Sequence, residues 1–164
     1  MTGSPRFRIS LAKEDFKFSA AHFTIFPDGR AELLHGHNYQ VQVELGGRSL
    51  GEEGLLMDLE SFKRSLRESC ARLDSRTLLP AESSHLAWSR EGSAMEVRFA
   101  ARIYRFPAED ILLLPLVNTS MELLARYLWE GLAPCLAGSR VDTLAVSVQE
   151  SAGQRCWYEA DLTP

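Results

Sequence analysis

Glu32-Leu33-Leu34-His35-Gly36-His37-Asn38-Tyr39 is the stretch from which the fold can be read. After the paired histidines the chain alternates. Tyr39, Val41, Val43 and Leu45 share one phase, and Asn38, Gln40, Gln42 and Glu44 the other. A period of two marks a strand with one buried face. His35 and His37 fall in the apolar phase, so both rings point to the buried side. Upstream, Phe16, Phe18, Ala20 and His22 alternate with Lys17, Ser19 and Ala21. A third histidine therefore faces inward from a neighbouring strand. Neutral imidazole is a common zinc ligand, and three such ligands with an open fourth position describe a catalytic rather than a structural site. The plainer alternative is three hydrogen-bonded core histidines.

The rest of the composition narrows the class. The length of 164 residues suits a single domain spanning 1–164, and a hydrophobic fraction of 45% supplies a core. A formal charge of −4 argues against nucleic acid as the main partner. The sequence has no apolar run of membrane length and no secretory signal, and it starts with a polar lead-in, Met1 to Pro5. Cys70, Cys135 and Cys156 have no metal-site spacing and leave an odd thiol, which points to reduced cysteines in a cytoplasmic protein.

Taken in order, the chain reads as strand, strand, helix, insertion, helix, strand, strand. The first strand, or two joined by a bulge near Lys13-Glu14-Asp15, runs from about Arg6 to His22, and the second from His35 to Leu45. Asp58 is the expected cap of a helix whose stripe is Leu59, Phe62, Leu66, Cys70 and Leu73. From 80 to 115 the pattern changes to short strand-like pieces with a hairpin turn at Glu91-Gly92-Ser93. Thr119, with Glu122 three positions on, predicts a capping box opening a second helix. Two strands close the chain, Val141 to Glu150 and Arg155 to Ala160. Strand runs separated by two helices indicate an α+β fold with an antiparallel sheet. Glu150 ends an apolar strand phase, either because the strand reaches solvent there or because its carboxylate accepts two hydrogen bonds from a ligand.

The sequence resembles the 6-pyruvoyl-tetrahydropterin synthase / 6-carboxy-tetrahydropterin synthase family. The resemblance rests on Phe18-Ser19-Ala20-Ala21-His22, His35-Gly36-His37-Asn38-Tyr39, Met57-Asp58-Leu59, Leu73-Asp74, Asn118-Thr119-Ser120 with Glu122, and Gln149-Glu150. It covers most of the chain outside 80–115. It implies the tunnelling fold, with two helices on one face of the sheet, trimers closing a barrel and two trimers stacking into a hexamer. It implies Zn2+ held by His22, His35 and His37, a pterin substrate anchored by Glu150 with help from Thr119 and Ser120, and sites formed between subunits.

Two positions depart from the family pattern. The usual cysteine, four residues before the HGH motif, is Ala31, and the histidine that usually follows Leu-Asp is Ser75. Only Asp74 remains of that catalytic set. Glu32-x-x-His35-Gly36-His37 resembles the branch in which a glutamate replaces the cysteine and the product is 6-hydroxymethyl-7,8-dihydropterin. There Glu32 would take the 2′-hydroxyl proton of a dihydroneopterin compound, and the C1′–C2′ bond would break in a retro-aldol step. Asp74 would orient a proton-transfer group or cap its own helix. Three alternatives stand beside this reading: a synthase reaction on dihydroneopterin triphosphate, a zinc- and pterin-binding homologue without catalysis, and a purely structural oligomeric barrel with no ligand. Arg90, Arg98, Arg102 and Arg105 in the insertion would contact phosphates or form the wet side of a strand. The insertion itself is expected to pack over the barrel or extend a subunit contact. His85, within it, reads as a surface histidine.

Overall fold

The computed structural model describes residues 6–162, so the lead-in Met1 to Pro5 lies outside the described residues. Within them the chain forms β1 (Phe7–Leu11), β2 (Lys17–His22), β3 (His35–Gly47), α1 (Leu59–Leu73), β4 (Arg76–Pro80), β5 (Leu86–Glu91), β6 (Ala94–Phe99), β7 (Arg102–Pro107), β8 (Ile111–Leu114), α2 (Met121–Leu132), β9 (Thr143–Ser151) and β10 (Gln154–Asp161).

The main sheet is built on β3. Its alternation survives in the structure: Tyr39, Val41, Val43 and Leu45 are all at most 2% exposed. β9 pairs with one edge of β3, and β1 and β2 follow each other along the other edge. The long first strand is broken, as the sequence allows. Leu11 opposes Val43 and Lys17 opposes Gln40, so six steps on one side meet three on the other. The ladder resumes where Val41 N–H donates to Phe16 O at 2.8 Å. β3 ends under close neighbours, where a Cβ on Gly47 would lie 2.3 Å from Leu56 Cδ1.

The strand order is β10-β9-β3-β2-β4-β8. The first four are antiparallel to their neighbours; β2–β4 and β4–β8 pair in parallel. Sequence reading omitted β4 and β8 as strands. Thr77 to Pro80 are buried in succession, and a strand covered on both faces loses the alternation that would reveal it.

Asp58 caps α1 as expected, its Oδ1 accepting from Glu60 N–H at 3.0 Å. Phe62, Leu66, Cys70 and Leu73 are buried from α1, and Leu124, Ala125, Leu128 and Leu132 from α2. Both stripes pack with the apolar phases of β2, β3 and β9 in one core. The capping box is not made. Thr119 uses its hydroxyl to donate to Phe23 O at 3.1 Å, so Ser120 becomes the cap and Glu122 falls one position too early to close a box. No described helix is long and apolar enough to cross a membrane.

Strands β5, β6 and β7 form a separate antiparallel meander. Leu86, Met95, Val97 and Phe99 from it pack with Phe23, Ile25, Leu79 and Ile111 in a second, smaller core. The turn at Gly92-Ser93 falls where the sequence places it, with Gly92 at φ 60°. The histidine-bearing end of β2 lies between the two cores.

Candidate metal centre

His22, the last residue of β2, opposes His35, the first of β3, and Ala20 opposes His37. Antiparallel register together with a period of two puts all three rings on the helix-covered face. Their ring centroids lie 4.7–5.4 Å apart. One nitrogen from each falls within 4.8 Å of the other two.

The outer hydrogen bonds decide which nitrogens face inward. His22 Nδ1–H donates to Thr119 O at 2.9 Å, and His35 Nδ1–H donates to Leu33 O at 2.7 Å. A ring that donates through Nδ1 presents an Nε2 lone pair, the usual support of a metal-ligating histidine. Nε2 of His22 is buried and has no hydrogen-bond partner among the described residues. Glu150 Oε1 lies 3.0 Å from it, but without hydrogen-bond geometry. A buried ring nitrogen left unpaired is costly unless a cation completes it. The donor set of three imidazoles therefore fits a zinc ion. Burial, the largest effect, pushes the His22 pKa below its ordinary value, with the neighbouring His35 and His37 adding to it; the Thr119 carbonyl and Glu150 oppose it but do not prevail. His22 is thus neutral at pH 7, the form that binds metal.

Asn118 supports this arrangement. Its Oδ1 accepts from Ile25 N–H at 3.1 Å and Thr119 N–H at 3.0 Å, and its Nδ2 donates to Ile25 O at 2.8 Å. It thereby fixes the segment after β2 to the start of α2 and aims the Thr119 carbonyl at His22. From sequence, Asn118 is visible only as part of a motif, since a side chain that bonds backbone leaves no trace in hydropathy. Thr119 is fully buried and serves His22 and Phe23, so within one chain its hydroxyl does not face a ligand. Ser120 is half-buried at the helix cap.

Glu150 does not stand in solvent. Its side chain is 14% exposed, and Oε1 lies 3.4 Å from His37 Nε2. The Tyr39 hydroxyl donates to the same oxygen at 3.3 Å. Burial and then the Glu150 charge hold Tyr39 far above the ordinary phenol range, so it remains a donor. The expected ring acceptor is thus turned toward the cluster.

Glu32 is half-buried beside it. Its Oε2 accepts from Thr24 N–H at 2.9 Å, and its own N–H donates to Thr24 O at 3.1 Å. Burial, the largest effect, would raise its pKa; the Thr24 hydrogen bonds and the electrostatic influence of the nearby His35 and His22 rings outweigh it, so the net direction is down. Glu32 is a carboxylate at neutral pH. Asp74 is not brought to the cluster within one chain. Its Oδ1 accepts from Ser19 N–H at 2.7 Å, and Ser75 Oγ donates to its Oδ2 at 3.1 Å. Ser19 lies three residues before His22, about 10 Å along a strand. A cavity of about 430 Å³ touches both Ser75 and His37, so the two places share a surface without a contact. His85 is exposed and apart from the cluster.

Residues 10–161 match the family described as 6-pyruvoyl tetrahydropterin synthase. A Methanocaldococcus jannaschii protein named putative 6-carboxy-5,6,7,8-tetrahydropterin synthase is 30% identical over 149 residues, 89% of this chain and 91% of its own. The crystal structure of 6-pyruvoyl tetrahydropterin synthase from Plasmodium vivax superposes with a TM-score of 0.89 at 28% identity, covering 96% of this chain and 99% of that one. A further structure of the P. vivax protein carries alanine in place of a glutamate described as a catalytic residue, with a TM-score of 0.86, 27% identity and coverage of 96% and 99%.

Proposed function

The chain belongs to the 6-pyruvoyl tetrahydropterin synthase family, whose members are lyases acting on pterins, and from that premise we propose that it cleaves the side chain of 7,8-dihydroneopterin or its phosphates to give 6-hydroxymethyl-7,8-dihydropterin. The observation that carries this reading is Glu32, held as a carboxylate beside three converging imidazoles where the family cysteine position is Ala31. The glutamate described as catalytic in the P. vivax protein supports the same role.

His22, His35 and His37 would hold the zinc ion, which when bound supplies Lewis acidity toward the side-chain hydroxyls. Glu32 accepts the proton of the 2′-hydroxyl. The C1′–C2′ bond then breaks, C2′ leaves as the carbonyl carbon of a two-carbon aldehyde, and the electron pair passes into the C6–N5 imine of the dihydropterin. Protonation at C1′ completes the hydroxymethyl product. Because its pKa is lowered, Glu32 is a weak base, and an acidified hydroxyl offsets that weakness. Glu150, oriented by Tyr39, contacts the substrate next to the cluster, and Ser120 does so from the start of α2. Asp74 takes part only if a second copy brings it to the cluster. Two features of the sheet support assembly: β10 and β8 are edges, and the polar face carrying Gln40, Gln42 and Gln149 is not covered by the helices. A trimeric barrel, stacked into a hexamer in the cytoplasm, would pair those edges.

Zinc-loaded protein incubated with 7,8-dihydroneopterin should yield the hydroxymethyl pterin and a two-carbon aldehyde, and Glu32→Gln should lower the rate by about 10²–10⁴-fold with zinc content unchanged. No product from dihydroneopterin or its phosphates would sink the proposal. The name of the M. jannaschii relative favours a second reading, a synthase reaction on dihydroneopterin triphosphate, and release of triphosphate would select it. Ala31 and Ser75 favour a third, a pterin-binding homologue without turnover, marked by tight pterin binding and no product under either assay.

A further inference from the structure

We propose that Arg102, at the start of β7 in the separate three-stranded sheet, is a positioning residue for Glu32; this rests on the reading of Glu32 as the base. Arg102 Nη1 donates to Glu32 O at 2.6 Å and Nη2 donates to Ala31 O at 3.3 Å. Its guanidinium lies 5.7 Å over the Phe99 ring, and Phe99 is buried in the smaller core, so the donor fork is itself held in place.

The segment that Arg102 grips lacks a ladder of its own beyond the isolated bridge between Ile25 and Ala31. Instead, the carbonyls of three successive residues each accept from a side chain: Ala31 and Glu32 from Arg102, and Leu33 from His35. Glu32 is therefore tied at its N–H to Thr24, at its carboxylate to Thr24, and at its carbonyl to Arg102. The last tie comes from outside the main sheet. A planar fork can serve two adjacent carbonyls at once, whereas an ammonium is a point donor. The inserted sheet thereby takes part in the site through backbone geometry, without contact with substrate.

The test is a double-mutant cycle on the zinc-loaded full chain with dihydroneopterin, read beside amide hydrogen exchange. Arg102→Met should lower kcat ten- to a hundredfold, with KM and zinc content changed less than twofold, and Arg102→Lys should recover part of the loss. In the Glu32→Gln background, Arg102→Met should cost less than twofold more. Exchange over residues 31–35 should quicken in Arg102→Met while exchange in β3 beyond Tyr39 stays as it was. Equal losses in both backgrounds, or unchanged exchange over 31–35, would overturn the proposal. If Glu32→Gln leaves the rate untouched, the assignment of the base fails and the catalytic meaning of Arg102 fails with it. If the wild-type chain turns over no pterin, the exchange result alone still decides whether Arg102 holds the segment. Should Arg102→Met fail to fold, Arg102→Lys carries the same comparison with a smaller change expected.

Discussion

The two ends of β2 are built differently. At its C-terminal end the strand delivers His22 into a cluster whose outward nitrogens are already bonded to Thr119 and Leu33 carbonyls. At its N-terminal end it delivers the Ser19 backbone to Asp74, whose carboxylate is spent on Ser19 N–H and the Ser75 hydroxyl. The first end has a buried Nε2 with no hydrogen-bond partner among the described residues; at the second, both Asp74 oxygens are engaged in holding the chain. Within one chain the three candidate metal ligands are already brought together, whereas Asp74 serves the chain's own structure. Removing a group should therefore change metal affinity at one end and only stability at the other.

The strongest test is metal content. His37→Ala should leave protein that loses its zinc on gel filtration, because two imidazoles hold zinc far less tightly than three. Asp74→Asn should keep stoichiometric zinc by elemental analysis. Zinc lost equally from both variants would erase the contrast. Next in size is Asn118→Ala, which removes the group that aims the Thr119 carbonyl at His22. Zinc affinity should fall by about 10–100-fold, the usual cost of losing an outer partner of a ligand, by competition with a chromogenic chelator. An unchanged affinity would show that Thr119 holds His22 unaided.

A third test uses protons in place of metal. His22 has its folded pKa lowered, burial being the main cause. Below the ordinary histidine value of about 6.5 the unfolded chain gains a proton that the folded chain refuses. The stability of metal-free protein should therefore be complete above that pH and fall below it, by at most about 1.4 kcal/mol per pH unit for this one group. Glu32, also lowered, adds a loss only further down, as pH drops into the carboxylate range. Urea unfolding of chelated protein that is flat from pH 7 to pH 5 would break the argument. Glu32→Gln should leave the loss between those limits in place.

The histidine end was legible in the sequence for a plain reason. Three histidines on two strands obey the same period as the apolar residues around them, so alternation alone assigns their face. Glu150 was legible as a misfit in that pattern, but its turn toward His22 and His37 was not, since a side-chain torsion has no period. Asn118 and Arg102 stayed hidden for another reason: both act on backbone atoms far along the chain, and only the fold brings those atoms near. Arg102 read as a phosphate contact or, more often for alternating arginines, as the wet side of a strand, whereas its two Nη groups donate to the Ala31 and Glu32 carbonyls. β4 was missed because burial on both faces removes alternation, and with it went the anchor that sets Asp74 beside Ser19.

The smallest effect separates the ends by strain. Ser75 sits at φ 58°, in the left-handed region that costs a residue with a Cβ about 1–2 kcal/mol. Its N–H donates to Ser19 O at 2.6 Å, so the fold holds the strained residue where α1 turns into β4. Glycine tolerates that φ, although it also loses more backbone entropy on folding and the hydroxyl bond to Asp74 goes. Relief should exceed those losses, and Ser75→Gly should stabilise the chain by roughly 0.5–1 kcal/mol in denaturant unfolding, with zinc affinity unchanged. A destabilised variant would mean that the Ser75 hydroxyl contributes more to fixing Asp74 than the strain costs. The second end of β2 would then be a device for presenting that carboxylate, and the contrast between the two ends would narrow.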